Sequence, residues 1–398
     1  MQPSTLVNSD DTLAGKLIAL GVTGSIAAVR IIDLARDLIR QGAKVQCIMT
    51  PAANQIINPY ALEYATTNPV ITEITGKVEH VGLCGIDGQA DMLLIAPATA
   101  NTISKIATGI DDTTVTTFAT TAIGSGKPVA IVPAMHEAMY NHPAIIRNIE
   151  TLRGMGVTII SPRTEEGKAK IANSRMIIWE VERILGPKDL IGKKVMVTSG
   201  STAERVDPIR VLTNKSSGRT GVEIAKESYK RGAEVTIVHR FLQELPFRQI
   251  YAESAHEMLH AVLSELKEGY DAFISAAAIS DYTLDPSQRK IKSGQDLILK
   301  LRPTKKIIKS VRSAYPNLRI VGFKAETYVT EEELVKSATE SMTNSNWDIV
   351  VANDVGSSGM GTEDNKVLII DRNRRKIQVC DKKNLIARAI VDSLVQIL

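Results

Sequence analysis

Short apolar runs in this chain repeatedly end in small or hydroxylated residues, which let backbone N–H groups come close to a phosphate. In the first half these ends are Thr23-Gly24-Ser25-Ile26, Thr50-Pro51, Pro97-Ala98-Thr99-Ala100-Asn101 and Pro133-Ala134-Met135. A helix opening after Ser25 would aim its partial positive charge at the same phosphate. In the second half they are Thr198-Ser199-Gly200-Ser201-Thr202, His239, Ser275 to Asp281, Phe323-Lys324 and Asn353-Asp354. The stretch Asn214-Lys215-Ser216-Ser217-Gly218-Arg219-Thr220-Gly221 is a Ser/Gly turn with two cations ahead of a helix expected to open at Val222. Such a turn suits a polyphosphate. Gly24-Ser25-Ile26 departs from G-x-G-x-x-G, and no G-x-x-x-x-G-K-[ST] occurs, so a mononucleotide is favoured over a dinucleotide.

The elements that must position these residues are equally legible. Lys16 to Val22 reads as a buried strand, Ile31, Leu34 and Leu38 as a helical stripe, and Lys44 to Met49 as the next strand after Gly42. Residues 192–240 repeat this βαβ plan around a long insertion. Further strands are expected at Met92 to Ala96, Pro128 to Val132, Val157 to Ile160, Ala272 to Ala276, Ile320 to Phe323 and Asp348 to Ala352. A hairpin over Lys366 to Cys380 and a helix carrying Ile386, Ile390, Leu394 and Ile397 close the chain. Runs of this kind alternating with helices indicate an α/β protein of two Rossmann-like domains with mostly parallel sheets. The Gly/Pro stretch Leu185 to Gly192 marks the linker, giving domains 1–186 and 187–398. In open parallel sheets ligands bind outside the carboxyl ends of the strands, which is where the small residues fall.

Composition narrows the classes. At 398 residues the chain is long enough for two cores. Aromatics are 4% and the net charge is +4 without a basic block, so nucleic acid is not an expected partner. Three separated cysteines, Cys47, Cys84 and Cys380, argue against a disulfide framework or zinc site and for a reducing cytoplasm. The first residues show no basic-then-apolar signal pattern, and no apolar run approaches the roughly 20 residues of a membrane span.

The first half resembles the flavin-dependent cysteine decarboxylases, which include phosphopantothenoylcysteine decarboxylase and lantibiotic-processing enzymes. The matching segments are Gly24 to Ala28, Glu79-His80-Val81, Ala96 to Thr102 and Pro133-Ala134-Met135. The second half resembles phosphopantothenate–cysteine ligase. Its segments are Thr198-Ser199-Gly200, Asp207 to Arg210, Thr213 to Gly218, Ala276 to Tyr282, Lys290-Ile291-Lys292, Gly322 to Thr327 and Asn353-Asp354. Together the segments span nearly the whole chain in family order, as in the fused bifunctional enzymes.

The resemblance implies ligation of cysteine to 4′-phosphopantothenate through an acyl-nucleotide made from CTP, with Mg²⁺, followed by decarboxylation to 4′-phosphopantetheine with FMN. Hydride passes from the cysteinyl Cβ to FMN and back, with loss of CO₂ between, so no external reductant is required. His80 matches the catalytic histidine; an imidazole suits proton transfer near neutral pH. Gly24, Ser25, Ile26, Thr50, Thr99, Asn101 and Met135 are the expected FMN contacts, with Asn101 doubling as a helix cap. His136 and Met139 belong to the substrate clamp, where His136 replaces the asparagine of many relatives. A cysteine that many relatives carry farther along is absent from Glu165 to Asn173; Lys168, Lys170 or an inward-folding Cys84 are the candidate replacements.

For the ligase half, Asn214 and Lys292 are the expected catalytic residues. Asn214 positions the acyl-nucleotide and Lys292 offsets repulsion between carboxylate and triphosphate. Arg210 is expected on the substrate phosphate, Phe323 against the base, and Asp281 on the nucleotide or Mg²⁺. Ser217, Gly218, Ala277 and Lys324 complete the expected substrate contacts. A homo-oligomer is also implied, with trimers that can assemble to a dodecamer and with ligase dimers. The competing reading is a single-activity or regulatory flavoprotein of the same fold.

Overall fold

Parallel strands alternate with helices throughout, in two units that divide between Leu185 and Gly186. The computed structural model describes residues 12–161, 163–165, 168–294, 296–356 and 364–398, with backbone alone for 163–165 and 168–170.

In the first unit five parallel strands lie in the spatial order Lys44–Met49, Leu17–Val22, Met92–Ala98, Val129–Pro133, Thr158–Ile159. The register sets Leu17 opposite Lys44 and Ile18 opposite Met92. The chain therefore winds outward both ways from Leu17–Val22 and Met92–Ala98, leaving a crevice at their carboxyl ends. Helices cover both faces, which is why Met92–Ala98 is buried along its whole length. One face packs Leu20, Val22, Leu34 and Leu38; the other packs Leu93, Ile95, Ile103 and Phe118. Helix Ile31–Arg40 turns Ile31, Leu34, Ala35 and Leu38 inward at the spacing of one helical face.

A small antiparallel sheet lies beyond the fourth strand. Met135–His136 pairs with Lys168–Lys170, which pairs with Arg163–Glu165, setting Met135 opposite Ala169 and His136 opposite Lys168. The side chains of Lys168 and Lys170, two of the candidate proton donors, lie outside the described residues.

The second unit orders its main sheet Arg248–Tyr251, Glu234–His239, Lys194–Ser199, Ala272–Ser275, Arg319–Glu326, Ile349–Asp354, Asp364–Asp371, Lys376–Lys382. The first six strands are parallel and the last two form an antiparallel hairpin. Its crevice falls between Lys194–Ser199 and Ala272–Ser275. Phe273, Ile320, Val350 and Ile370 lie in one core cluster with Met258 and Met342. The insertion after Gly200 contains a short hairpin, Ala203–Arg205 with Val211–Thr213.

Four local expectations need correction. The helix after the Ser/Gly turn opens at Arg219, with Gly218 as its N-cap, and not at Val222. Gly218 can take φ +75°, so the chain enters the helix one turn earlier. Ser25 leads first into a 3₁₀ turn, Ile26–Arg30, and the α-helix follows. Asn101 is not a cap; Thr99 is, accepting from the Thr102 N–H, and Asn101 sits exposed in the first turn. Ile397 falls just past the closing helix, Lys383–Val395.

Gly322 abuts the indole of Trp347, and a Cβ built there would lie 2.4 Å from the ring. Gly322→Ala is expected to destabilise the second unit by about 1–3 kcal/mol through overpacking. Thermal unfolding of the variant checks this, with an unchanged midpoint as the contrary result.

Candidate active sites

The first site grows from stitching between strand ends. The buried Thr23 hydroxyl donates to the Pro97 carbonyl at 2.7 Å and accepts from the Thr99 N–H at 3.1 Å. Ser25 Oγ donates to the Ala134 carbonyl at 3.3 Å, and the Ala134 N–H donates to the Ala98 carbonyl at 3.0 Å. The Thr50 N–H bonds the Val22 carbonyl at 3.1 Å, while its side chain caps the helix that starts at Pro51. Gly24, Ser25, Thr50, Thr99 and the Ala134-Met135 segment thus converge on one sheet edge. Gly24 has no room for a side chain, since a Cβ there would lie 2.5 Å from the Ala52 Cβ. Ile26 is 77% exposed beside this edge, and Asn101 is exposed at the start of its helix.

His80 lies in the helix Glu79–Cys84, edge-on to Phe118 with ring centroids 6.3 Å apart. Its Nδ1 is buried with no hydrogen-bond partner among the described residues. A buried polar atom left unpaired is costly, and a ligand that supplied its partner would remove that cost. Val78 and Val81, both 49% exposed, flank it. His136 and Met139 are exposed on the clamp segment, with Met139 in the short helix Glu137–Tyr140. The third candidate proton donor is corrected here. Cys84 is fully buried in the core cluster with Phe118, and burial pushes its thiol pKa up to about 11. A neutral thiol enclosed by apolar side chains cannot reach a substrate.

A phosphorylated planar cofactor fits this edge. The Gly24 gap admits close backbone approach, the hydroxyls of Ser25 and Thr99 and the capped helix starts suit a phosphate, and the exposed Ile26 offers an apolar surface.

The second site is a pocket between two helix starts. Ser216 to Gly221, Ala276 to Ala278, Phe323, Asn353, Asn365 and Lys383 contribute to its lining. Ser199 Oγ donates to the Gly218 carbonyl at 2.7 Å, drawing the turn onto the strand end. A Cβ on Gly218 would lie 2.8 Å from Gly200, and one on Gly221 2.7 Å from Ser199. Asn214 Nδ2 donates to the Ala278 carbonyl at 3.1 Å, and the Ala278 N–H donates to the Gly200 carbonyl at 2.8 Å.

Of the expected residues, Ser217, Gly218, Ala277 and Phe323 line the pocket, and Asn214 borders it through Ala278. Arg210, Lys292, Asp281 and Lys324 are not among its lining residues. Lys324 pairs with Glu326 at 3.1 Å, and Asp281 with Lys306. Asp207, whose side chain is buried, accepts from the backbone N–H groups of Ile209, Arg210 and Ile291. It also takes the Arg210 guanidinium at 3.0 Å, and the same Arg210 nitrogen donates to the Ile291 carbonyl at 3.1 Å. Asp207 and Arg210 therefore hold the loop that carries the exposed Lys292. Among the described residues no cluster of three or more His, Cys, Asp or Glu side chains could hold a metal. No carboxylate is among the pocket's lining residues, so a Mg²⁺ in it would be held chiefly by phosphate oxygens and water.

Sequence reasoning missed Asn365 and Lys383. The signal available was an asparagine, a poor strand former, at the start of an otherwise apolar strand run, Val367 to Ile370.

Comparison with known proteins defines the class first. The family model described as Flavoprotein matches residues 6–186, and the one described as DNA/pantothenate metabolism flavoprotein C-terminal domain matches residues 190–398. The chain is a two-unit flavoprotein of the pantothenate-metabolism kind. More narrowly, it belongs to the family of coenzyme A biosynthesis bifunctional proteins CoaBC. It is 50% identical over 382 residues to the Thermococcus kodakarensis member, covering 94% of each chain. It is 39% identical over 400 residues to the Methanocaldococcus jannaschii member, covering 99% of this chain and 97% of that one. A solved C-terminal domain of CoaBC is 28% identical, with TM-score 0.45, over 53% of this chain and 97% of that domain.

Burial pushes the Asp207 carboxyl up, but the N–H donors of Ile209, Ile291 and Arg210 and the Arg210 charge outweigh it, and its pKa lies below the ordinary value. The tether is therefore complete above the ordinary carboxylate value of about 4 and is lost as pH falls through the lowered folded one. Asp207→Asn is expected to loosen the loop at neutral pH, so that trypsin cuts faster after Arg289, Lys290 or Lys292. Unchanged cleavage would show that the loop is held otherwise.

Proposed function

We propose that residues 187–398 ligate cysteine to 4′-phosphopantothenate with CTP and Mg²⁺, and that residues 1–186 decarboxylate the product to 4′-phosphopantetheine with FMN. The observation that carries the ligase reading is the pocket where the Ser216–Gly221 turn, a helix start and Ala276–Ala278 meet at the switch point of the sheet. Backbone N–H groups at the turn bind the triphosphate, and Phe323 packs against the base. Asn214, fixed on Ala278, orients the acyl-nucleotide towards the amine of cysteine. Lys292 approaches on its tethered loop and offsets charge between the attacking carboxylate and the phosphate. Asp281, paired with Lys306 here, would be the carboxylate to hold a Mg²⁺ that accompanies the nucleotide.

In the first unit Gly24, Ser25, Thr50 and Thr99 hold the phosphate end of FMN, and Ile26, Asn101 and Met135 border its ring. When bound, FMN supplies a reversible two-electron acceptor for the hydrogen on the cysteinyl Cβ. His80 exchanges the proton at the reacting end, and His136 binds the substrate carboxylate, since an imidazole N–H can donate one hydrogen bond. The clamp is held by backbone pairing of Met135–His136 with Lys168–Lys170.

The protein works as a cytoplasmic homo-oligomer, trimeric through its decarboxylase units and dimeric through its ligase units. Exposed apolar side chains support this: Ile26, Val78, Val81 and Ile86 in the first unit, and Leu297, Ile298, Leu299 and Leu301 in the second.

The test supplies purified protein with 4′-phosphopantothenate, cysteine, CTP and Mg²⁺, and separately with ready-made 4′-phosphopantothenoylcysteine. Phosphopantetheine and CO₂ are expected in both mixtures. His80→Gln is expected to stop the first mixture at phosphopantothenoylcysteine, slowing decarboxylation on the order of 10²-fold or more while ligation continues. A full decarboxylation rate in that variant would remove His80 from the reaction.

A further inference from the structure

Asn365 is the second residue of the strand Asp364–Asp371, at the end of the sheet where the parallel strands finish. It lines the ligase pocket with Phe323, Asn353 and Lys383, and it is only 6% exposed. Its Oδ1 is buried and has no hydrogen-bond partner among the described residues. Leaving a buried carboxamide oxygen unpaired costs folding free energy, and the cost is recovered when a ligand brings a donor. Val367, two residues on, lines the same pocket, so this side of the strand faces it.

The donor required limits what the ligand can be. A triphosphate offers oxygen acceptors, which an orphaned carbonyl oxygen cannot use. The nucleoside offers donors, namely sugar hydroxyls and an exocyclic amine. Position agrees. The strand of Asn365 stands three strands from Ala272–Ser275, roughly 14 Å along the sheet at the usual inter-strand spacing. That separates it from Ser199 and the Ser/Gly turn, where the proposed function puts the phosphates. Lys383 opens the helix that follows the hairpin and is 7% exposed; its pKa is lowered by burial and by the Arg219 charge. An anion between these cations would relieve both effects. Lys383 follows Lys382, the register partner of Asp364, so the cation and the donor-seeking oxygen of Asn365 stand on the same side of the pocket.

We propose that Asn365 is a specificity residue of the ligase, with its carboxamide oxygen accepting a hydrogen bond from the nucleoside, either a sugar hydroxyl or the base amine. This rests on the reading of the pocket as the nucleotide site. It makes Asn365 a reader of the nucleoside, and leaves the phosphates to the turn, Arg219 and Lys383.

The experiment measures binding of CTP, UTP, 2′-deoxy-CTP, 3′-deoxy-CTP and pyrophosphate, each with Mg²⁺, to the full-length protein and to Asn365→Ala and Asn365→Asp. In the parent, one analogue that lacks a donor is expected to bind more weakly than CTP: UTP if the amine is read, a deoxynucleotide if a hydroxyl is. In Asn365→Ala, CTP affinity is expected to fall about tenfold or more and that difference to vanish. Pyrophosphate affinity stays at the parent level. Asn365→Asp, which retains the acceptor, still discriminates between CTP and the same analogue. The ligand-free melting temperature of Asn365→Ala is expected to hold or rise, because the orphaned oxygen is gone; a residue needed only for folding would lower it. Unchanged CTP binding in Asn365→Ala overturns the proposal, as does an equal loss for CTP and pyrophosphate. If the parent binds neither CTP nor pyrophosphate, the nucleotide reading itself fails and the proposal falls with it.

Discussion

Both sites depend on a backbone approach so close that the turning residue can carry no Cβ. At Gly24 the space a side chain would take is filled by Ala52, at Gly218 by Gly200, and at Gly221 by Ser199. This closeness brings N–H groups to the edge where parallel strands end. A methyl group at any of the three would push the turn off the strand end. A phosphate placed there would then meet side chains in place of amides. Hydrogen bonds from Thr23 and Ser199 fix the same approach, each joining one strand end to the segment beside it.

The two units reach this geometry by different windings. In the first, the chain starts near one edge and has four further strands to place, so the crevice lies beside its second strand in space. In the second, three strands run to one side before the chain crosses back, and the crevice lies nearer the middle of eight. The larger sheet gives the ligase a long platform beyond its crevice, reaching through Phe323 and Asn353 to Asn365. A nucleoside needs that length; a phosphate alone would not. The first unit instead closes its site with a small sheet made by Met135–His136 and its partners. An asparagine-to-histidine change in the clamp is therefore tolerable for the backbone, because pairing with Lys168–Lys170 does not involve the side chain.

The parallel strands, their carboxyl ends and the two-unit division could be read from the chain because burial on both faces leaves continuous apolar runs. Ala277 was legible for a related reason, since it follows such a run, and Phe323 lies in one; Ser217 and Gly218 were legible from the Ser/Gly turn ahead of a helix. What could not be read was set by contacts distant in sequence. Asp207 reaches Ile291 across 84 residues, and Asn214 reaches Ala278 across 64. Lys383 looks like any surface lysine until the helix it opens is packed beside the one that opens at Arg219. Cys84 looked available because a single cysteine carries no periodic signal of burial; Phe118 and its neighbours enclose it. The Arg219 helix start was missed because Gly218 enters it from a left-handed conformation, which a count of apolar spacing does not register.

In the proposed reaction a carboxylate must meet a triphosphate, and both reactants are anions. Cations fixed rigidly among the strands would hold the triphosphate tightly before and after reaction alike, and uniform binding of that sort does not raise the rate. The structure divides the charge accordingly. Arg219 and Lys383 stand at the pocket wall, one at each helix start, where they favour binding. Lys292 is held at arm's length. Asp207 and Arg210 grip the loop through the Ile291 backbone, and the lysine side chain itself is left exposed. On the proposed reading, a cation carried in this way would follow charge as it moves to the phosphate in the transition state, while the buried Asp207 carboxylate holds the loop.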